Sequence, residues 1–377
     1  MKIAIICDNL GEPNNGTTIA AYNLIEHLKS AGHEVRVVSP DENPDNEPGF
    51  YSVPHANLGR LPNKVLRDNG VSLAKPERSV LEAALDGVDA VHVLFPMALG
   101  WLAAEIAQER GIPLTASFHC QAENLTSHIG LMHSKAATRT VYTLFDKKVY
   151  SKCTLMHYPT EFIKNEFLKY THCKTPYRII SNGVNPMFFK KEPVKRVSDK
   201  FTIICSGRFS REKAQHVLLK AVGKSKYRDN IKLVLAGSGP LEQKLRRLAE
   251  KLKLDCDMNF YKREELAAIL RGADLYVHTA IAEIEAIACT EAIVSGLVPV
   301  ICDSKGSATR FFALDEHCLW KKGSAKELRN KIEYFYEHPE AREAYRKLYA
   351  EKAGAFDQRE CMKKMEQMLK DAAKNNA

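Results

Sequence analysis

No stretch of this 377-residue chain reaches the roughly 18 uncharged apolar residues that a membrane-spanning helix requires. The closest, residues 90–104, is interrupted by His92 and Pro96. The opening MKIAIICDNLGEPNNG carries an apolar run only from Ile3 to Cys7 before Asp8. That is too short for a secretory signal and reads as a first strand. Ten cysteines are scattered singly, with no C-x-x-C and no metal-ligand cluster. The expectation is therefore reduced thiols in a cytoplasmic protein, several of them on buried strands. The chain also lacks low-complexity tracts and short repeats.

What is present is length, positive charge and alternation. A chain of 377 residues exceeds one ordinary core and suits two domains. The net charge of +9 favours an anionic partner such as a nucleotide phosphate, a nucleic acid or a lipid surface. KIAIIC, EVRVVS, DAVHVLF, IPLTASF, CTLMHYP and YRIIS read as strands in the first half. FTIICSG, IKLVLAG, DMNFY, DLYVHTA and LVPVICD repeat the style from residue 201 onward. Helix-length segments separate them, which predicts two doubly wound α/β domains with parallel sheets. The polar segment 190–200, KKEPVKRVSDK, is the linker candidate. Ligands of such sheets bind beyond the carboxyl ends of strands, so two facing domains predict a cleft between them.

The residues just after each strand carry the chemistry. Gly16 opens a helix after the first strand, with Asn14 and Asn15 before it, and suits close approach of an anion to backbone N–H groups. This loop fits neither G-x-G-x-x-G nor the P-loop pattern. SGRFSREKA places Arg208 and Lys213 after the strand that begins at Phe201, and two such cations suit a diphosphate. In LVLAGSGPL, Gly237 and Gly239 permit close backbone approach. His119 ends the strand LTASF, and His278 is the next histidine so placed. Glu283 and Glu291, seven residues apart in between, fall on a loop and the following helix, where carboxylates accept hydrogen bonds from sugar hydroxyls. DCD at 255–257 matches a metal-holding D-x-D but lies at a strand's entry and reads as a solvated loop. Each position taken singly leaves an ordinary alternative: a plain helix start at Gly16, solvated caps at Arg208 and Lys213, a structural histidine at 119.

Together these residues resemble the family 4 retaining glycosyltransferases. The hallmark stands as Glu283, seven residues, then EAIVSGLVPV from Glu291, and GRFSREKA is similar to the family's G-R-x-x-x-E-K-G. The resemblance spans essentially the whole chain. It implies the GT-B fold: an N-terminal Rossmann-like acceptor domain over 1–190, a nucleotide-sugar domain over 191–355, and a last helix, 356–377, packed back on the first domain. It implies that Arg208 and Lys213 bind the donor diphosphate, that Glu291 holds the ribose hydroxyls and that Glu283 contacts the donor sugar. It also places Gly16 near the phosphate and acceptor, and His119 beside the reacting centre. Gly237, Gly239 and the backbone around Ile284, Ala286 and Ile287 complete the donor site. No metal and no other cofactor is implied. Three positions depart from the pattern. Ala286 and Ala214 stand where the family has glycine, and Glu285 where it usually has an aromatic residue. With a negative φ, Ala286 still presents its backbone N–H, and Ala214 is the milder change.

The implied reaction moves a hexose, glucose by expectation, from a UDP-linked donor to a hydroxyl acceptor with retention of configuration. Over 128–174, eight lysines and arginines face three acids and interleave with Leu131, Met132, Val141, Tyr142, Leu144 and Phe145. Residues 58–79 hold a second basic stretch. Basic residues beside an apolar helical face suit an anionic membrane surface. The favoured acceptor is therefore a membrane lipid such as diacylglycerol, with the protein peripheral on the inner face of the membrane. The alternatives are a soluble, cell-wall or capsule glycan acceptor, and a non-catalytic nucleotide-sugar-binding protein. Nucleic acid is the least favoured partner, since no recognised module accompanies the basic stretches.

Overall fold

The computed structural model describes residues 1–377 except 11–15, 42–47, 58, 60–62, 64–72, 128–133, 193 and 375–377, and excepting the side chains of Asn124 and Ser127. The chain divides into two compact units, 1–182 with 359–377, and 183–358.

In the first unit the described strands are β1 (Lys2–Ile6), β2 (Glu34–Ser39), β3 (Phe50–Ser52), β4 (Ala90–Val93), β5 (Leu114–Ser117), β6 (Leu155–Tyr158) and β7 (Tyr177–Ile179). They form one sheet in the order β3-β2-β1-β4-β5-β6-β7, parallel at every pairing. The order reverses beside β1, as in doubly wound folds. Its central strands β1, β4, β5 and β6 are buried almost throughout. Helix Gly16–Ser30 buries Thr18, Ala21, Leu24, Ile25 and Leu28, a spacing of three and four residues that makes one face.

The last helix, Gln358–Lys374, belongs to this unit. It buries Cys361, Met362, Met365, Met368 and Leu369 in a cluster with Ile3, Ala21 and Leu24. Each such methionine or leucine contributes about 1.5–3 kcal/mol when fully covered. Glu366 on the same helix accepts from His27 at 2.8 Å, His33 at 3.1 Å and Lys370 at 2.5 Å.

The second unit repeats the plan. Its main strands are β8 (Phe201–Ser206), β9 (Ile231–Ala236), β10 (Cys256–Asn259) and β11 (Leu275–His278). A short β12 (Ala282–Glu283) follows, then β13 (Pro299–Asp303), β14 (Gly306–Ser307) and β15 (Leu319–Lys321). Six of these make a parallel sheet in the order β10-β9-β8-β11-β13-β15, while β12 and β14 pair as a separate ribbon. Both sheets and their flanking helices match the α/β expectation. Four strands escaped the sequence reading: β3, β12, β14 and β15 span two or three residues, too few for any periodicity to register.

The division between the units falls at 182/183 and 358/359, not at 190/191 and 355/356. Residues 183–190 join the second core: Phe188 is fully buried there, and Val184 bridges to Asp357. The charged segment 190–200 is no free linker either. Arg196 is bound by Asp274 at 2.9 Å and Lys200 by Asp255 at 2.9 Å, and Val197 packs on the core. Its polarity reflects ion pairing with the surface of its own unit.

Candidate active site

The carboxyl ends of β8, β9 and β11 bring two loops and the short β12 together in the second unit. Gly207 follows β8, and Gly237 and Gly239 follow β9. A Cβ on Gly237 would meet the Gly207 carbonyl oxygen at 2.2 Å, and one on Gly239 would meet the Phe209 oxygen at 2.7 Å. The two glycines let one loop lie directly against the other. Three backbone hydrogen bonds then lock the loops: Gly207 N–H to Ala236 O at 2.9 Å, Phe209 N–H to Ser238 O at 2.8 Å, and Leu241 N–H to Phe209 O at 2.9 Å. The close approach read from the sequence is therefore met by protein backbone.

Lys213 and Glu283 come from motifs seventy residues apart and form an ion pair. Burial would raise the Glu283 carboxyl, but Lys213 and His278 together outweigh it and hold it down to about 2. The Lys213 value is raised in turn, because Glu283 outweighs the burial that disfavours its charge. Arg208 is half-buried on the same loop, and its carbonyl accepts from Gln215 at 2.8 Å. His278 Nε2 lies 3.6 Å from Glu283 Oε1. Thr279 donates to the Lys213 carbonyl at 2.5 Å, and Ile281 N–H donates to Glu212 O at 2.8 Å. The end of β11 thus braces both members of the pair.

Glu291 lies on helix Ile287–Val294 and is buried. Arg263 donates to its Oε1 at 2.9 Å, and the guanidinium sits 5.1 Å above the Phe188 ring. Burial raises the Glu291 carboxyl despite the opposing Arg263 charge. Ile284 and the partly buried Ile287 flank this segment, and Glu285 is buried between the two site carboxylates.

Two expectations about alanines need correction. Ala286 has φ 65° and ψ 72°, the left-handed region, so its N–H is not presented with the negative φ expected. Ala214 has φ 49° and is not the milder change. Both alanines occupy the conformation that glycine adopts without steric cost, and each carries strain of about 1–2 kcal/mol. The backbone has kept the glycine geometry while the residue has changed.

In the first unit His119 is half-buried just beyond β5. It lines a small cavity with Ser117, His157, Asn182, Leu24 and Met365. Behind it runs a row of buried hydrogen bonds. Thr115 Oγ1 meets His92 Nδ1 at 2.8 Å, and His92 Nε2 meets Ser117 Oγ at 2.9 Å. Ser117 Oγ then meets His157 Nδ1 at 2.8 Å, and His157 Nε2 donates to Ile180 O at 2.6 Å. Burial pushes His92 down to about 3 and His157 to about 4. It holds His119 well below its ordinary range, with His157 and His92 adding to the effect, so all three are neutral at physiological pH. Gly16 is the exposed first residue of helix Gly16–Ser30, and Asn14 and Asn15 fall outside the described residues.

The DCD carboxylates are engaged by lysines. Asp255 pairs with Lys200 at 2.9 Å and Lys232 at 2.8 Å, and Asp257 with Lys232 at 3.0 Å. Among the described residues no group of three or more His, Cys, Asp or Glu side chains is arranged to hold a metal. The sequence reading missed Arg263, Thr279, Tyr276 and His157. Arg263 sits in a helix start that looks solvated, and His157 is hidden inside an apolar strand.

Residues 14–188 match the Glycosyltransferase Family 4 domain and residues 187–352 the Glycosyl transferases group 1 domain. An alpha-monoglucosyldiacylglycerol synthase from Acholeplasma laidlawii is 25% identical over 80% of this chain and 80% of its own length. The catalytic domain of the cholesterol-alpha-glucosyltransferase from Helicobacter pylori is 47% identical over 41% of this chain and 97% of that chain, with a TM-score of 0.38. The Anabaena protein HepE, solved with UDP and glucose, superposes with a TM-score of 0.77 at 16% identity, covering 98% of this chain and 100% of that one. The chain belongs to the family 4 glycosyltransferases, enzymes that transfer hexoses on a two-domain GT-B fold.

Proposed function

We propose that this enzyme transfers glucose from UDP-glucose to the hydroxyl of a diacylglycerol-type lipid at an anionic membrane surface, with retention and without a metal. The observation that carries the donor half is the meeting of Lys213 and Glu283, drawn from two separate motifs to the carboxyl ends of β8 and β11. In this reading Arg208 and Lys213 take the diphosphate and Glu291 takes the ribose hydroxyls. Glu283 takes the sugar, with the backbone at Ile284, Ala286 and Ile287 alongside. Gly16 and His119, neutral by burial, serve the phosphate and the reacting centre.

As the C1–O bond to the diphosphate breaks, negative charge grows on the leaving oxygens. The two cations stabilise that charge as it forms. The acceptor oxygen bonds C1 from the same face, and its proton passes to the leaving phosphate, giving UDP and the glucosylated lipid.

Two observations support the lipid half. One is the 25%-identical relative, whose name records a glucosyldiacylglycerol product. The other is helix Lys135–Lys148, which buries Thr138, Tyr142 and Phe145 and exposes Lys135, Arg139, Lys147 and Lys148 beside Leu144. Such a face attracts anionic lipid at about 1 kcal/mol per basic residue. The second basic stretch, 58–79, lies largely outside the described residues, and its Arg78 is paired with Glu82 and Glu109. Among the described residues no helix is long and apolar enough to cross a membrane.

The test uses UDP-glucose with vesicles of diacylglycerol and phosphatidylglycerol, in the presence of EDTA, with the product identified by mass. Glucosyl-diacylglycerol is expected. In Lys213→Ala turnover should fall about 100- to 1,000-fold, the scale for losing a preorganised charge at a leaving group. Near-normal turnover of that variant would overturn the donor assignment. Transfer to a soluble glycan with none to lipid would overturn the acceptor.

A further inference from the structure

The role of Glu283 raises a problem that the fold answers. Its carboxylate is held by Lys213. If Lys213 turns to a donor diphosphate, a buried carboxylate is left without its counter-charge just when it must hold the sugar. An uncompensated buried charge is costly. A second partner stands ready on β11.

His278 is buried, 2% exposed, and its Nε2 lies 3.6 Å from Glu283 Oε1. That is a few tenths of an ångström beyond a hydrogen bond. Among the described residues this nitrogen makes no hydrogen bond at all. The other ring nitrogen is occupied: Nδ1 is 3.3 Å from the Tyr276 hydroxyl, which is itself 3.3 Å from Ser206 Oγ. A hydroxyl row running Ser206 to Tyr276 can donate to Nδ1, which is compatible with the ring proton on Nε2, facing the carboxylate. The opposite tautomer would aim a lone pair at an anion. Burial, helped by the Lys213 ammonium, holds His278 below its ordinary value despite Glu283, so the ring acts as a neutral donor. Its neighbour Thr279 fixes the Lys213 carbonyl. Consecutive residues at the end of β11 therefore address the two members of the ion pair separately.

We propose that His278 is a positioning residue for the transfer: its Nε2–H closes on Glu283 when Lys213 engages the donor diphosphate, and keeps the carboxylate aimed at the sugar. This rests on the donor assignments proposed above. The carboxylate changes partner without being exposed to water, and the unmet donor of the free enzyme is satisfied in the loaded one. His278 acts through Glu283, so its effect on the donor is indirect.

The test compares His278→Leu and His278→Gln, using UDP-glucose turnover and inhibition by UDP, which lacks the sugar. His278→Leu is expected to lose about 10- to 100-fold in kcat, the scale for removing the partner that orients a ligating group. Inhibition by UDP should weaken in His278→Leu as well, because Lys213 then engages the diphosphate only by leaving Glu283 without a partner. His278→Gln, whose amide N–H reaches the same point, is expected to recover most of the loss. Tyr276→Phe, which frees the tautomer while keeping the ring packing, is expected to lower kcat and weaken UDP inhibition less than His278→Leu does. A His278→Leu enzyme with wild-type kcat overturns the proposal. So does a His278→Gln enzyme no better than His278→Leu, or UDP inhibition left unchanged in His278→Leu. Normal activity of Lys213→Ala would instead strike the donor assignment itself, so the two failures are told apart.

Discussion

Replacing Arg263 by methionine isolates the electrostatics of the buried Glu291. Arg263 donates to Oε1 at 2.9 Å, and Glu291 is only 4% exposed. Removing one partner of a buried pair ordinarily costs about 3–5 kcal/mol, because the other charge is stranded. Here the carboxylate has an escape: it can take a proton. From its ordinary value of 4.5, protonation at pH 7 costs about 3.4 kcal/mol, at 1.36 kcal/mol per pH unit. That sets a ceiling on the electrostatic loss at pH 7. The same ceiling is about 0.7 kcal/mol at pH 5. Loss of the guanidinium from the Phe188 ring adds about 0.5–1 kcal/mol at every pH. The sign follows from the direction of the shift. Burial raises the folded-state value, so the charged form destabilises the fold above it and stability recovers as pH falls. Urea unfolding of wild type and variant at pH 5, 6, 7 and 8 should show a gap that widens with pH. Adding Glu291→Gln to Arg263→Met should close most of it. A gap that is the same at all four pH values, or a double variant as weak as the single, would refute this reasoning.

Gly237→Ala should destabilise the protein by about 2 kcal/mol or more and impair donor turnover together. The added Cβ falls 2.2 Å from the Gly207 oxygen, and backbone on both sides must move. Thermal unfolding and UDP-glucose turnover check this; a variant as stable as wild type would refute it. Glu366→Gln should loosen the C-terminal helix by about 1 kcal/mol at pH 7, after solvent screening is allowed for. Lys370 first, then His33 and His27, hold the Glu366 carboxyl down to about 2. Its contribution is thus complete above about 4.5 and is lost as pH falls from there toward 2, so amide exchange of that helix should converge for the two proteins near pH 2.

The parts of this enzyme legible in the sequence are those written by local pattern. Most of the eleven strands read from the sequence announced themselves as apolar runs because parallel sheets bury both faces, whereas the edge strands β7 and β10 are largely exposed. The spacing of Glu283 and Glu291 was legible because both lie within one short loop and helix. What escaped was set by contacts between distant segments. The boundary at 182/183 depends on Phe188 entering the second core, which a charged neighbourhood disguises. Arg263 reaches Glu291 across 28 positions, and nothing local marks it. The left-handed alanines are the instructive case. From the residue types alone, losing a glycine at 286 argues for a changed backbone. The structure keeps the backbone, at φ 65°, and carries the strain instead. Strain of about 1–3 kcal/mol persists only where the surroundings over-determine the conformation. Here the surroundings are the ribbon of β12 and β14 on one side and a buried helix on the other. Ala214 repeats the pattern next to Lys213, where Thr279 and Ile281 pin the chain. Ala214 and Ala286 therefore flank the ion pair on both of its segments.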